Sequence, residues 1–370
     1  MKKYYLFSLV AFVCIGCSSI KEQHTSTTFL VGTYTDTIEQ GINQVILNHQ
    51  TSELSLQKII SGVENPSFII TNKSKSIVVV VEETASEQGG KITSYAITGT
   101  DYFTKRSTLF TKGNHPCTLA FSPDEKFVVV GNYSGGNLSV FPIDGFGKLS
   151  DAIAVVAHNG TSENTARQEK PHVHSVVFHP IQNKIFIADL GNDTIEFIPF
   201  DANNSAFLQT EKSVATNTPA GSGPRHIIFD KKGETLFATF ELTNQVGVYR
   251  FKDNQLQLVQ LAQITESTKN GTAAEIKISN DNKFVYASVR GEDNFIAVYS
   301  WDSNKLNLIQ KVTTKKGPRN FIFTNDEEFV LVGSQFENAI SVFSRNKKTG
   351  LLTATNSMLA VNKPVYFCNF

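Results

Sequence analysis

Short apolar runs separated by turn-forming residues recur along most of the chain. The plainest unit spans Cys117 to Phe141 and reads as strand, Ser-Pro-Asp turn, strand, Gly-rich turn and strand. Related units follow one another at intervals of about 44 to 57 residues, and they begin near Pro66, Pro116, Val173, Pro224, Ala274 and Pro318. A repeat of this length built from short strands predicts an all-β propeller with about four strands in each blade.

A seventh unit is divided between the two ends of the chain. The C-terminal stretch KPVYFCNF looks like a first strand with nothing after it, whereas residues 29–47 look like second and third strands with no first strand before them. Pairing the two ends would complete a seventh blade and remove two unpaired sheet edges. We therefore expect one seven-bladed β-propeller domain over residues 28–370. The alternative, two β-sandwiches, leaves the complementary ends unexplained.

The first 17 residues are predicted to be a targeting segment. Lysines precede an apolar run from Tyr4 to Gly16, which is shorter than the roughly 20 residues of a membrane-spanning helix and suits a secretory signal peptide. The run ends Cys-Ile-Gly-Cys, which resembles the lipobox of bacterial lipoproteins and predicts lipid attachment at Cys17. An ordinary signal peptide cleaved nearby is the alternative. Residues 18–27 would then be a polar tether, and this anchor would hold an exported protein at the periplasm or outer membrane.

Composition narrows the possible partners. Lys plus Arg and Asp plus Glu both number 34, so no global basic field exists to bind nucleic acid. The predicted domain contains two cysteines, Cys117 and Cys368, too few for a zinc site or a disulfide framework. No Gly-rich phosphate loop opens a helix. We expect a monomer or weak oligomer that acts on a small molecule without a cofactor.

Propeller geometry gathers polar residues at one mouth of the central channel. The first two strands of a blade are antiparallel neighbours, so the start of the first lies beside the end of the second. The residues at these positions are Asn65, Ser67, Glu83, His115, Asn132, Tyr133, His172, His174, Asp189, Arg225, Glu241, Glu275, Arg290, Arg319 and Gln335. Arginine forks match carboxylate or phosphate groups, so this mouth suits an anionic substrate. The alternative is that the charges are structural ion pairs, Arg225 with Glu241 and Glu275 with Arg290.

Metal binding and binding without catalysis are alternatives at the same mouth. His172 and His174 would share one strand face and resemble a metal pair, but no third ligand is obvious, so no metal is predicted. A central calcium ion held by Glu83, Asn132 and Asp189 is a further alternative. A propeller that binds proteins or glycans without chemistry is also compatible with the pattern.

Several motifs together carry a family resemblance. They are VGTYT, NPSF, PHVHSVVFHP, ADLGND, GSGPRHIIF, FELTNQVGVY, the stretch TAAEIKISNDNKFVYASVRGEDNFIAVY, and GPRNFIF. In these pieces the chain resembles the seven-bladed lactonase family, which includes the propeller type of 6-phosphogluconolactonase and fungal carboxy-cis,cis-muconate cyclase. The resemblance covers nearly all of the chain after residue 28.

The resemblance implies an active site of one histidine, two arginines and one glutamate. They fall on His174 in PHVHSVVF, Arg225 in GPRH, Glu241 in FELTN and Arg290 in SVRG. Rim neighbours expected to contact the substrate are His172, Arg319, Asn132, Tyr133 and Glu83. The same four catalytic residues lie on the rim that the strand geometry predicts.

The implied reaction is hydrolysis of a sugar lactone, with 6-phosphogluconolactone as the first candidate. The arginines would hold the anionic group, and either Glu241 or His174 would take a proton from water. Direct attack by water is favoured because the nucleophile motif Gly-x-Ser-x-Gly is absent. Because a phosphorylated sugar lactone is a cytoplasmic intermediate and this chain is predicted to be exported, a lactonase or cyclase acting on a carboxylated or unphosphorylated lactone is the alternative.

Overall fold

A computed structural model describes residues 1–3, 25–99, 102–203, 207–265 and 272–370. Over these residues, 28 strands form seven four-stranded sheets, each a blade of a propeller. Residues 4–17 of the predicted signal peptide, including the lipidation site predicted at Cys17, lie outside the described residues. None of the described helices has the length and apolar character needed to cross a membrane.

The blades each run from an inner strand at the channel to an outer strand at the surface. They are β4 (Ile69–Thr71), β5 (Ile77–Glu82), β6 (Lys91–Thr98) and β7 (Tyr102–Phe110); β8 (Pro116–Phe121), β9 (Phe127–Asn132), β10 (Asn137–Pro142) and β11 (Ala154–Ala157); β12 (Val173–Phe178), β13 (Lys184–Asp189), β14 (Thr194–Pro199) and β15 (Val214–Asn217); β16 (Pro224–Phe229), β17 (Thr235–Phe240), β18 (Gln245–Lys252) and β19 (Gln255–Gln263); β20 (Ala273–Ile278), β21 (Phe284–Val289), β22 (Phe295–Trp301) and β23 (Leu306–Thr313); β24 (Pro318–Phe323), β25 (Phe329–Ser334), β26 (Ala339–Arg345) and β27 (Leu352–Ala360); and β28 (Pro364–Asn369), β1 (Ser26–Thr33), β2 (Gly41–Asn48) and β3 (Leu54–Ser61). Two short 3-10 helices span Thr210–Lys212 and Gln335–Glu337.

The two ends of the chain close the ring as the sequence predicts. The C-terminal strand β28 is the innermost strand of the seventh blade, and it pairs with the N-terminal strand β1 in an antiparallel register that matches Leu30 with Cys368. Closure leaves no open sheet edge between the first and last repeats. The strand β1 begins at Ser26.

Apolar side chains pack between neighbouring blades. In one cluster Phe237 and Val248 of the fourth blade meet Val285 and Trp301 of the fifth, and the rings of Phe237 and Trp301 meet edge to face at 5.2 Å. Burying a side chain of this size contributes about 1.5–3 kcal/mol. Because each blade shares its core with the next, the ring holds the inner strands in fixed relative positions around the channel.

Candidate active site

Breaks in strand pairing mark the channel mouth. In five blades the register of the inner strand shifts near its start, between Pro116 and Thr118, Val173 and Ser175, Pro224 and Ile227, Ala273 and Ile276, and Pro318 and Asn320. The residues inside these breaks are Cys117, His174, Arg225, His226, Ala274, Glu275 and Arg319. An irregularity of this kind re-aims side chains away from the regular alternation, which is why such breaks are frequent beside active sites.

Three arginines from separate parts of the chain surround the carboxylate of Glu241. The Nε atom of Arg225 lies 2.8 Å from Oε2, although its N–H makes no well-directed hydrogen bond, and Nη2 of Arg290 lies 3.5 Å from the same oxygen. Arg167 donates from Nη2 to Oε1 at 2.8 Å. We call these four residues the Glu241 cluster. The sequence placed three of them together and missed Arg167.

Backbone carbonyls fix two of the arginines. Arg225 is 2% exposed and donates from Nη1 to the carbonyl of Ala274 at 2.9 Å. Arg290 donates from Nε to the carbonyl of Thr272 at 3.3 Å. Charged hydrogen bonds of this kind hold a guanidinium group in one orientation before a ligand arrives.

The Glu241 carboxylate is ionised, and guanidinium groups surround both of its oxygens. Burial alone would raise its pKa, but the positive charges of Arg290, Arg225 and Arg167 outweigh burial and lower it to about 2. Both oxygens already face guanidinium groups. Glu241 is therefore well placed to orient the arginines and poorly suited to accept a proton.

The expected pair between Glu275 and Arg290 is wrong. Arg290 contacts Glu241, whereas the Glu275 carboxylate lies 3.2 Å from Nδ1 of His226. The physical reason is the register break at the start of β20, which lies in the fifth blade and leaves Glu275 facing a residue of the fourth blade. Simple pairing of neighbouring strand ends cannot anticipate that contact.

His174 is buried beside the cluster and is neutral at pH 7. Its ring meets Tyr133 edge to face at 5.4 Å and His226 at 5.3 Å. Burial, together with the nearby charges of Arg225 and Arg319, holds its pKa well below the usual value. A neutral imidazole keeps a lone pair that can accept a proton.

His172 and Tyr133 form a stacked wall of the mouth. Their rings stack at 4.4 Å, and Nδ1 of His172 lies 3.1 Å from the carbonyl oxygen of Tyr133, so that nitrogen is placed to donate. The other ring nitrogen lies 3.3 Å from the carboxylate of Glu169. Tyr133 in turn accepts a hydrogen bond from Arg167 at 3.3 Å. Tyr133 therefore contacts the Glu241 cluster, and His172 packs behind it.

Arg319 and Glu83 are brought together through a residue that the sequence analysis missed. Arg319 donates from Nη2 to the hydroxyl of Tyr34 at 3.0 Å, and that hydroxyl lies 3.0 Å from both carboxylate oxygens of Glu83. Burial raises the pKa of Tyr34, so it remains a hydroxyl donor. The motif VGTYT contains this tyrosine, but nothing in the sequence of the divided blade indicated that Tyr34 lies between Arg319 and Glu83.

Asn132 and Asp189 serve structural contacts. Asn132 is fully buried and donates its side-chain amide to the carbonyl of Thr111 at 3.3 Å. The Asp189 carboxylate lies 2.9 Å from Nδ1 of His158 and accepts the backbone N–H of His172 at 2.7 Å. The contacts of Asp189 occupy both of its carboxylate oxygens, whereas the amide oxygen of Asn132 has no hydrogen-bond partner within the described part of the chain.

Arg167 reaches the mouth on the long polar insertion that precedes β12. Its neighbour Gln168 is buried and donates to the carbonyl of Leu190 at 2.9 Å, and Ser162 donates to Asp193 at 2.6 Å. These bonds dock the insertion against the third blade. The sequence signal was present as an arginine in a loop directly before PHVH, but spacing does not tell where a loop side chain points.

The fold and this cluster define a class: a closed propeller with a buried, predominantly cationic site at one channel mouth. The chain belongs to the seven-bladed lactonase family, since the family described as Lactonase, 7-bladed beta-propeller matches residues 28–368. The match confirms the resemblance inferred from the motifs.

Named relatives cover almost the whole domain. The 6-phosphogluconolactonase of Bacillus subtilis (strain 168) is 30% identical over 343 residues, which are 90% of this chain and 96% of that protein. A 6-phosphogluconolactonase of Formosa agariphila is 30% identical over 341 residues, again 90% and 96%. Among solved structures, the periplasmic gluconolactonase of Pseudomonas aeruginosa matches with a TM-score of 0.86 and 28% identity, covering 92% of this chain and 98% of that one.

Proposed function

We propose that this protein hydrolyses a sugar lactone that carries an anionic group, with 6-phosphogluconolactone as the first candidate. The observation that carries the proposal is the convergence of Arg167, Arg225 and Arg290 on one buried carboxylate beside a neutral histidine. Guanidinium forks bind phosphate and carboxylate groups in two-point contacts. Relatives named 6-phosphogluconolactonase support this choice of substrate.

The charge balance of the mouth favours an anion. Within the Glu241 cluster three arginines, Arg167, Arg225 and Arg290, meet the single carboxylate of Glu241. Buried charge is costly unless it is paired. A bound phosphate or carboxylate would compensate the excess positive charge without moving the arginines.

In the proposed reaction, water attacks the lactone carbonyl and His174 takes a proton from it. The new bond joins the water oxygen to the carbonyl carbon, and the bond from that carbon to the ring oxygen then breaks. The proton returns from His174 to the departing ring oxygen, and the product is the open-chain acid. Arg225 and Arg290 stabilise the negative charge that develops on the carbonyl oxygen.

The proposal is tested by ring opening of 6-phosphogluconolactone. Protein purified without its first 17 residues is mixed with freshly prepared lactone, and acid release is followed against the uncatalysed rate. We expect release that is proportional to enzyme concentration. Release at the background rate, from protein that is folded by circular dichroism, would contradict the proposed function.

Hydrolysis of an unphosphorylated sugar lactone is a second candidate. The Pseudomonas aeruginosa relative is named a periplasmic gluconolactonase, and the N-terminal pattern of this chain also predicts export. The two candidates differ in whether the arginines bind a phosphate, and paired substrates separate them.

Replacing Arg167 with methionine is expected to raise KM about tenfold and leave kcat within a fewfold of the wild type. The side chain of Arg167 is 40% exposed and reaches the cluster from a loop, so its loss removes one contact to the anion while the buried arginines remain. Steady-state kinetics on the proposed substrate measure both constants. The control is Lys170→Met, on the same insertion, whose ammonium group donates to the carbonyl of Ser134. An unchanged KM in R167M would remove Arg167 from substrate binding.

We also propose that the protein is a lipoprotein of the cell envelope, anchored through Cys17. The support is the apolar run followed by Gly16 and Cys17. Cells expressing the full chain or its Cys17→Ser variant are fractionated and labelled with a fatty-acid probe. We expect label and membrane association in the wild type only. Equal labelling of both chains would refute the anchor.

A further inference from the structure

Inner strands of several blades line a cavity in the central channel. Its volume is about 330 Å³, and it is lined by later residues of the inner strands, including Phe121, Phe178, Ile228 and Lys277. Since these residues follow the mouth residues along each strand, the cavity occupies the opposite part of the channel. His226 and Glu275 line it as well, so they separate the cavity from the cluster.

The Glu275 carboxylate fixes which ring nitrogen of His226 carries the hydrogen. The carboxylate is 3% exposed, and its Oε1 lies 3.2 Å from Nδ1 of His226. Burial raises the pKa of Glu275, but Lys277 and His226 outweigh burial and lower it to about 2. An ionised carboxylate can only accept, so Nδ1 of His226 carries the hydrogen and Nε2 keeps the lone pair. The other oxygen of Glu275 accepts a hydrogen bond from Asn320.

His226 also touches the residue proposed to take the proton from water. Its ring meets His174 edge to face, with 5.3 Å between the ring centres. His174 has no carboxylate partner of its own among its described contacts, which are Cys117, Tyr133 and His226. Glu275, which contacts His226, can therefore support His174 through that ring.

We propose that His226 and Glu275 are a positioning pair for His174, in which Glu275 fixes the ring of His226, and His226 packs against His174 and orients it. This inference rests on the proposed function, because it assigns the pair to the same ring-opening step. Neither residue touches the substrate in this account.

The charges around the two rings explain why a protonated His174 needs the support of Glu275. A proton on His174 would face the positive charges of Arg225 and Arg319, which disfavour it. The groups that face His226 are Glu275, Arg225, Lys277 and His174. Of these, only Glu275 is negative, and it touches His226 directly. The negative charge of Glu275 therefore offsets part of the positive charge that His174 gains when it takes a proton.

The cavity makes a chemical test possible. In a His226→Gly variant, the missing imidazole leaves a space that opens into the 330 Å³ cavity, and free imidazole can enter it. We expect kcat to fall about 100-fold in H226G, the low end of what assisted proton transfer contributes. Added imidazole should restore a large part of the loss. A purely structural histidine would not be replaced by a freely diffusing ring.

A shape-preserving variant and a matched control complete the experiment. Glu275→Gln keeps the size of the side chain and removes its charge, and we expect at least a tenfold lower kcat on the scale of assisted proton transfer. The control is His49→Gly, which breaks another histidine–carboxylate contact, 3.1 Å to Asp326, in a separate cavity. H49G should keep the wild-type kcat and show no response to imidazole.

The outcomes separate this inference from the proposed function. A slow E275Q together with imidazole rescue of H226G supports the positioning pair. A wild-type kcat in E275Q, or a loss in H226G that imidazole does not restore, overturns the pair while the lactonase proposal stands. If H226G does not fold, E275Q decides alone. A wild-type protein without lactonase activity overturns both.

Discussion

Replacing Arg225 with alanine is expected to lower kcat/KM for 6-phosphogluconolactone by at least about 100-fold, the scale of one lost charge-stabilising donor. Arg225 combines almost complete burial, contact with Glu241 and a backbone bond that fixes its orientation. In the proposed reaction, its guanidinium group would therefore stabilise the developing oxyanion without needing to reorganise. Steady-state kinetics with the purified variant measure the loss.

Stability has to be followed beside activity in this variant. Removing one partner of a buried ion pair typically costs about 3–5 kcal/mol, because the other charge stays buried. Arg225→Lys keeps the positive charge and loses the two-point contact of the guanidinium group. We therefore expect its kcat/KM to lie between those of the wild type and R225A. Arg106→Ala, an exposed arginine on the outer strand β7, is the matched control and should keep wild-type kinetics. A folded R225A with wild-type kcat/KM would remove Arg225 from the mechanism.

His174→Gln is expected to lower kcat by about 100-fold to 10,000-fold, the usual range for a lost acid–base group. KM should change only a fewfold, because the arginines that hold the anion remain in place. Glutamine preserves much of the volume, so the buried contacts with Tyr133 and His226 can largely persist. The measurement is kcat and KM for the variant, with His49→Gln as a histidine control outside the channel.

The pH dependence of the wild-type kcat/KM tests the role of His174 as proton acceptor independently. The pKa of His174 is held well below its usual value, and a base works only when deprotonated, so the active form persists below the usual titration range. Wild-type kcat/KM should therefore stay level between about pH 6 and pH 8. A wild-type kcat in H174Q would show that another group accepts the proton.

The sequence predicted the fold well because its signals are local and repeated. Every blade carries its own strands and turns, and the divided seventh repeat implies the pairing that joins Leu30 to Cys368. The positions of His174, Arg225, Glu241 and Arg290 followed from strand ends and from family motifs. The burial and mutual contacts of these residues depend on packing between blades, and the spacing of the repeats does not predict that packing.

The residues that were missed or misassigned have physical explanations. Glu275 was paired with Arg290 because regular antiparallel strands would place them together, and the register break in β20 changes that. Arg167 comes from a loop whose path depends on docking to the third blade. Tyr34 joins Arg319 to Glu83 across the ring closure, a contact between residues 285 positions apart.

The most direct test of the central claim compares two lactones that differ only in the phosphate group. The kcat/KM of the wild-type protein is measured for 6-phosphogluconolactone and for gluconolactone under identical conditions. If the arginines around Glu241 bind the anionic group, the phosphorylated lactone reacts at least about tenfold faster, and Arg167→Met, which removes one contact to that group, reduces the preference. Equal rates for the two substrates, or a preference that R167M leaves intact, would contradict the assignment of the channel mouth as an anion-binding hydrolytic site.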